Sequence, residues 1–418
     1  MNRRHFLRQT ATTMAALPFL PSLLPNLHAL EKSNCSLILI WLDGGMTHLD
    51  TFDCKPEAPP DIRGDLVAKE SKLEGVFLNE NLPKIGEILP ESCLIRSITS
   101  PEGNHDRGSY YMLTGRRLSP VLLYPSFGSV FGQDKREGNP IPAYVAIPDA
   151  HPYAKQGFLP ATRAPFEVGG SPGVKGFSVK NLNPSPQMQR AMDLLKKVDA
   201  LDGAPRSEEE TVRDQFLEQA RHLSLEPEAR ALFDVGKENE ATRNRYGRHQ
   251  MGQSCLLARR LVEGGVRTVL VRDRGWDHHR NIARELTFGF PPKFDALDQS
   301  ISALHEDLDR RGLLENTLVV LASEFGRTPR LNAAGGRDHW PRASSTLLFG
   351  AGLKRGVVVG KTDPHGEEPI DRPVTPESFF HTVLAAVGCD VTRQFHTSDG
   401  RPIRVVEEES EPVKEILA

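Results

Sequence analysis

The run Ser36 to Leu42 (SLILIWL), closed by Asp43-Gly44-Gly45, decides the fold. An uncharged, mostly aliphatic run that stops at an Asp-Gly-Gly turn reads as a strand buried on both faces. Such a strand needs helices on either side, and the chain supplies them. Gln250 to Glu263 has helical spacing and stops at Gly264-Gly265, ahead of a second buried run, Thr268 to Val271. Leu297 to Arg311 repeats the pattern, Gly312 breaks it, and Thr317 to Ala322 (TLVVLA) follows as a third strand. Thr346 to Phe349 begins another short strand, and Pro376 to Val387 reads as an amphipathic helix closing the domain. This alternation predicts an α/β fold, with a mostly parallel central sheet and helices on both faces.

Between these units the character changes. Residues 119–176 are rich in proline and glycine, with Ala143 to Ile147 as a short strand candidate, and read as a loop-rich elaboration. Residues 207–245 are highly charged with helical spacing, most simply a solvated helical layer. One domain over 31–410 is expected, with 411–418 as a tail. The chain carries 52 basic and 55 acidic side chains, so no global field favours nucleic acid or an anionic membrane. Its five cysteines form no Cys-x-x-Cys pair, which argues against a thiolate zinc site; one bridge or buried thiols remain.

The first 30 residues differ from the rest. Arg3-Arg4 and Phe6-Leu7 precede a weakly apolar stretch from Thr10 to Leu24, with no acidic residue before Glu31, which is the layout of a twin-arginine export signal. The stretch is short for a membrane span, and a retained anchor is the alternative. The expected location is periplasmic or otherwise extracytoplasmic. Export of a folded chain agrees with a preloaded metal.

Three polar constellations follow successive buried strands. Asp43 ends the first, with His48, Asp50 and Asp53 just behind; carboxylate with imidazole suits zinc, manganese or iron, and an acidic capping loop is the plain alternative. Past the second lie Trp276-Asp277-His278-His279 and Asn281, and Asp277 with His279 has the spacing for two ligands of one ion. Past the third come Glu324, then Arg327, Gly335-Gly336-Arg337 and Asp338-His339. Arg327 and Arg337 suit an oxyanion such as phosphate or sulfate, or else pair with the carboxylates. Convergence at one sheet end points to a site holding one or two divalent ions.

These residues resemble a known group. Asn316 to Gly326 is similar to the strand and turn of sulfatases and alkaline phosphatases, Leu113-Thr114-Gly115-Arg116 resembles the end of their nucleophile helix, and Asp43 matches their first metal aspartate. GGMTHLDTFDCKP, YYMLTGR, LLARRLVEGGVRTVLV, GWDHH, SEFGRTP and GRDHWP together resemble the exported family termed domain of unknown function 1501. The resemblance implies an alkaline phosphatase-like three-layer sandwich with metal ligands at Asp43, Asp277, His279, Glu324, Asp338 and His339. His105 stands where the superfamily places its nucleophile, and the cysteine motif of formylglycine sulfatases is replaced by His105-Asp106-Arg107-Gly108-Ser109. His105 thus becomes a candidate ligand, base or phosphohistidine, with Ser109 as the remaining hydroxyl. Phe325 replaces a ligand histidine, so one metal position is altered or lost.

The expected function is a metal-dependent hydrolase of a phosphate or sulfate ester, using metal-activated water, with His105, Arg327 and Arg337 in catalysis. The ion is zinc first, with manganese or iron as alternatives, and the substrate is a small molecule or a glycan ester. The competing expectation is a non-catalytic envelope protein that binds a metal or an anionic glycan and docks to envelope partners.

Overall fold

The computed structural model describes residues 35–132, 141–174, 176–179, 226–288 and 292–418, with isolated positions between 187 and 223. The export-signal expectation for residues 1–30 and most of the charged layer at 207–225 lie outside the described residues. The central sheet has eight strands: β1 (Ser36–Asp43), β2 (Ser92–Ile98), β3 (Tyr144–Ile147), β4 (Phe166–Glu167), β5 (Thr268–Arg274), β6 (Thr317–Ala322), β7 (Ser344–Gly350) and β8 (Val357–Val359). Their spatial order is β8-β2-β7-β6-β1-β5-β3-β4. β1 lies in the middle, parallel to both β5 and β6. Only β7 runs against its neighbours, antiparallel to β2 and β6.

The two-residue period of β1 divides the core. Ile38, Ile40 and Leu42 point to one side, where they join α5 (Gln250–Glu263) and α6 (Lys293–Arg310). Leu37, Leu39 and Trp41 point to the other, toward α2 (His105–Thr114), α3 (Phe127–Phe131) and α7 (Pro376–Ala386). Every one of these six strand side chains is at most 3% exposed, so β1 is buried on both faces and the molecule is a three-layer α/β sandwich. On the first face, α1 (Pro83–Ile88) packs against α6, and α4 (Glu240–Tyr246) against α5 and α6.

The helix that bears His105 is defined at both ends. The Asn104 side chain accepts from the backbone amides of Asp106 and Arg107, and Gly115 closes α2 in the left-handed region at φ 64°. Between these caps, Gly108 to Thr114 are buried, which fixes His105 at the exposed N-terminal turn.

Three boundaries differ from the sequence reading. β5 runs on to Arg274 because Arg272, Asp273 and Arg274 still pair with Trp41, Leu42 and Asp43. The segment expected as a tail belongs to the domain: Val413 and Ile416 are fully buried, and the Val413 amide donates to Thr382 Oγ1. The loop-rich elaboration contributes β3 and β4 to the sheet and two buried phenylalanines, Phe127 and Phe131, to the core. No disulfide joins any two of the five cysteines.

Candidate metal centre

Beyond the ends of β1, β5 and β6 the backbone is packed too tightly for side chains. Gly44 sits at φ 129°, where a Cβ would lie 2.5 Å from the Asp277 amide nitrogen. Gly336 lies so close to His279 that a Cβ there would meet its carbonyl carbon at 2.0 Å. These glycines let the turn after β1 and the 335–339 loop press against the segment carrying Asp277 and His279. Arg280 bridges to Gly335, and the Arg337 amide donates to the His278 carbonyl.

Asp277, His279 and His339 meet in the space so formed. His279 Nε2 lies 2.9 Å from Asp277 Oδ1 and 3.0 Å from His339 Nε2, and His339 Nε2 lies 3.3 Å from the same carboxylate oxygen. The opposite ring nitrogens are committed. His279 Nδ1 is 2.8 Å from Asp338 Oδ1, and His339 Nδ1 is 2.9 Å from the Gly103 carbonyl. Carboxylate and carbonyl oxygens only accept, so each Nδ1 donates its proton outward and each Nε2 is the atom left facing Asp277. One cation is already close: Arg327 Nη2 donates to Asp277 Oδ1 and its Nη1 lies 3.4 Å from His279 Nε2, so an ion bound here would share these atoms with the guanidinium. A tetrahedral ion with bonds of 2.0–2.1 Å sets its ligand atoms about 3.3 Å apart, equal to the longest of the three separations and a few tenths of an ångström more than the other two. Asp338 and the Gly103 carbonyl orient these rings in the way that partners of metal-bound histidines do.

His105 stands beside this triangle, and its ligand atom lies within 4.8 Å of those of Asp277 and His339, close enough to share an ion with them. Its Nδ1 donates to Glu324 Oε1 at 2.7 Å, and its Nε2 lies 3.5 Å from Asp277 Oδ2. The Glu324 hydrogen bond raises the His105 pKa, against the opposing effect of burial. His339 shifts down instead, chiefly because burial penalises its charged form. Burial also opposes ionisation of Asp277, but the hydrogen bond and charge of Arg327 outweigh it and hold the carboxyl below its ordinary value. Phe325, which stands where a ligand histidine was expected, is buried and packs its ring against His105 and His339 at centroid distances of 5.1 and 4.8 Å.

Several expected site residues play other parts. Glu324 is not aimed at the triangle: Oε1 accepts from Gly44 N and His105, and Oε2 from the Ser323 hydroxyl. Asp338 supports His279 from behind. Asp43 turns away, with Oδ2 bound by Arg272 at 2.5 and 2.7 Å. Arg337 is fully buried and spends all five N–H groups on Asp50 and the carbonyls of Thr328, Pro329 and Ile62, so it has none for a substrate oxyanion. Arg327 is likewise fully buried, donating to Asp277 and to the carbonyls of Gly44, Gly45 and Arg337; it positions Asp277 and the glycine turn. Both arginines therefore pair within the protein, the alternative left open by sequence. His48, Asp50 and Asp53 are buried and bonded to Gly366, Arg337 and Thr362. His278 is buried beside Trp276, its pKa lowered to about 4 mainly by burial. The Ser109 hydroxyl is buried without a hydrogen-bond partner.

A further ionic group escaped the sequence reading. Asp149 and His151, just past β3, join Arg272 and Arg274 around Asp43. The strand candidate Ala143 to Ile147 was the available signal, since strand ends carried the other constellations.

No curated protein matches the chain. Among solved structures it is similar to the PsFucS1 sulfatase from Pseudoalteromonas sp., at 14% identity over 88% of this chain and 70% of that one, with a TM-score of 0.38. It is also similar to the alkaline phosphatase of the Antarctic bacterium TAB5, at 11% identity over 84% and 98%, with a TM-score of 0.36. The lipoteichoic acid synthase LtaP from Listeria monocytogenes matches at 10% identity over 85% and 72%, with a TM-score of 0.39. Likenesses this distant bear on no residue of the site. Residues 34–417, which span the sheet, both helical layers and every residue of the triangle, match the family described as "Protein of unknown function (DUF1501)", and the chain belongs to that family.

Proposed function

We propose that this chain is an exported, metal-dependent hydrolase of phosphate or sulfate esters. The observation that carries this reading is the triangle of Asp277, His279 and His339, whose Nδ1 protons are spent on Asp338 and Gly103 while both Nε2 atoms face one carboxylate. Three ligands with the rest of the shell open is the arrangement of catalytic rather than structural zinc. A divalent ion there, with zinc preferred over manganese or iron, would act as a Lewis acid toward the ester and make water more acidic.

The other roles belong to the chain itself. Arg327 and Asp338 hold the ligands in register. Phe325 closes the site from beneath with an apolar ring. His105, raised in pKa by Glu324, presents Nε2 at the half-exposed rim and delivers a proton to the leaving group. The paired arginines near the N-terminus support export to the periplasm, where a small-molecule or glycan ester is the substrate. No helix among the described residues is long and apolar enough to cross a membrane.

One observation favours a second reading. With Arg327 and Arg337 both spent internally, the triangle is short of donors for a transferring oxyanion, as a non-catalytic protein binding a metal or an anionic glycan would be. Assays of purified protein with added zinc or manganese against phosphate and sulfate esters separate the two. The hydrolase reading expects metal-dependent turnover that Asp277→Ala with His279→Ala abolishes, and that His105→Gln reduces at least about 100-fold while the metal stays bound. Bound metal without turnover on any ester favours the binding protein.

A further inference from the structure

The carboxylate that ends β1 faces a guanidinium. Asp43 Oδ2 receives Arg272 Nε at 2.7 Å and Nη2 at 2.5 Å, and Arg272 Nη1 reaches Asp149 Oδ1 at 2.9 Å. Arg274 binds both oxygens of Asp149, at 2.7 and 2.9 Å. Two carboxylates and two guanidinium groups thus form a closed quartet beside the triangle, and β1 and β5 pair through this end of the sheet.

A second ion next to the first would need ligand atoms with open lone pairs on this side. Of the three groups present only Asp43 offers one, its Oδ1, and a single carboxylate oxygen does not make a site. Asp43 Oδ2 holds two charged donors. His151 approaches Asp43 Oδ1 with Nε2 at 3.8 Å, but its Nδ1 accepts from the Tyr153 amide at 3.2 Å, so the neutral ring carries its proton on Nε2. Glu324 lies between the two regions and is committed at both oxygens, to Gly44, His105 and Ser323.

We infer that the site holds a single ion at Asp277, His279 and His339, and that Arg272, held by Asp43 and Asp149, occupies the carboxylate a second ion would need. This inference rests on the metal reading above and goes beyond it in the number of ions and in the part played by Arg272. Asp43 is then a positioning residue for Arg272 and not a metal ligand.

The test is metal stoichiometry, read without reference to activity. Full-length protein is stripped with a chelator, titrated with Zn2+, desalted and measured by elemental analysis, alongside Asp43→Asn and His339→Ala. One ion per chain is expected in wild type and in Asp43→Asn, with loss in His339→Ala. Mn2+-loaded wild type gives a second readout independent of any variant: an uncoupled mononuclear spectrum in electron paramagnetic resonance. Two ions per chain, a coupled Mn2+ pair, or loss of the ion in folded Asp43→Asn overturns the single-ion assignment while leaving the metal reading in place. A wild type that takes up no ion overturns both.

Discussion

The loop from Thr47 to Asp53 and the loops carrying Asp277–His279 and Asp338–His339 use the same residue types with opposite outcomes. In the first, His48, Asp50 and Asp53 are at most 2% exposed, and Asp50 accepts from the buried Arg337. In the second, the Asp277, His279 and His339 side chains remain 26–44% exposed, and Asp277 Oδ1 and the two Nε2 atoms converge within 3.3 Å of one another. Histidine, aspartate and arginine thus build a strut in one place and an open cage in the other. What separates the two is exposure: the strut is shut off from solvent and the cage is open to it. In the strut every N–H of Arg337 has an oxygen, and the one buried atom left over is His48 Nδ1. The cage gathers two Nε2 atoms and a carboxylate oxygen at a solvent-open position, where a cation can reach them.

That contrast can be broken most forcefully at Arg337. Arg337→Ala leaves the Asp50 carboxylate buried without its partner, and should cost about 3–5 kcal/mol of stability by urea denaturation. A loss below about 1 kcal/mol would mean that the strut is ornamental. Asp338→Ala attacks the cage instead. Asp338 is more than half exposed, so the unfolding midpoint should hardly move while zinc affinity falls about 10- to 100-fold in a chelator competition. Equal affinity in this variant would deny Asp338 its orienting role. Gly336→Ala sharpens the link between the loops: the new Cβ meets His279 backbone at 2.0 Å, so separating the two segments should cost about 1–3 kcal/mol and weaken zinc binding as well. Unchanged stability would mean that the loops do not need that approach.

The smallest effect concerns a second strut. Arg259 on α5 is buried among Glu238, Glu263 and Asp307. Burial disfavours the charged forms of Glu238 and Asp307, but the guanidinium groups of Arg259, Arg260 and Arg311 outweigh it and hold both carboxyls below their ordinary values. A carboxyl depressed on folding adds stability above its unfolded pKa, and that stability drains away as pH falls through the folded value. Urea midpoints should therefore drop from pH 5 to pH 3, and Arg259→Met should flatten that drop. A variant as acid-sensitive as wild type would place the effect elsewhere.

Much of this was legible in the chain. An uncharged run stopped by Asp-Gly-Gly identified the central strand, glycine stops bounded α5, and clustering of Asp277, His279, Asp338 and His339 after successive strands located the cage. Direction was not legible. Nothing in the spacing shows that all five donors of Arg337 are consumed, or that Asp43 turns to Arg272 and away from the triangle. The strand Thr268–Arg274 was cut short because a hydropathy reading stops at the first charge, whereas backbone pairing continues through Arg272. Arg272 thereby went unnoticed, as did Asp149 and His151, although they follow a recognised strand candidate.

The most direct test is zinc K-edge X-ray absorption on the zinc-loaded, full-length protein. A first shell of nitrogen and oxygen at about 2.0–2.1 Å, with the outer-shell scattering of two imidazoles that disappears in His279→Ala with His339→Ala, is the predicted result. A shell of oxygen alone, or imidazole scattering that persists in the double variant, would contradict a metal centre at Asp277, His279 and His339.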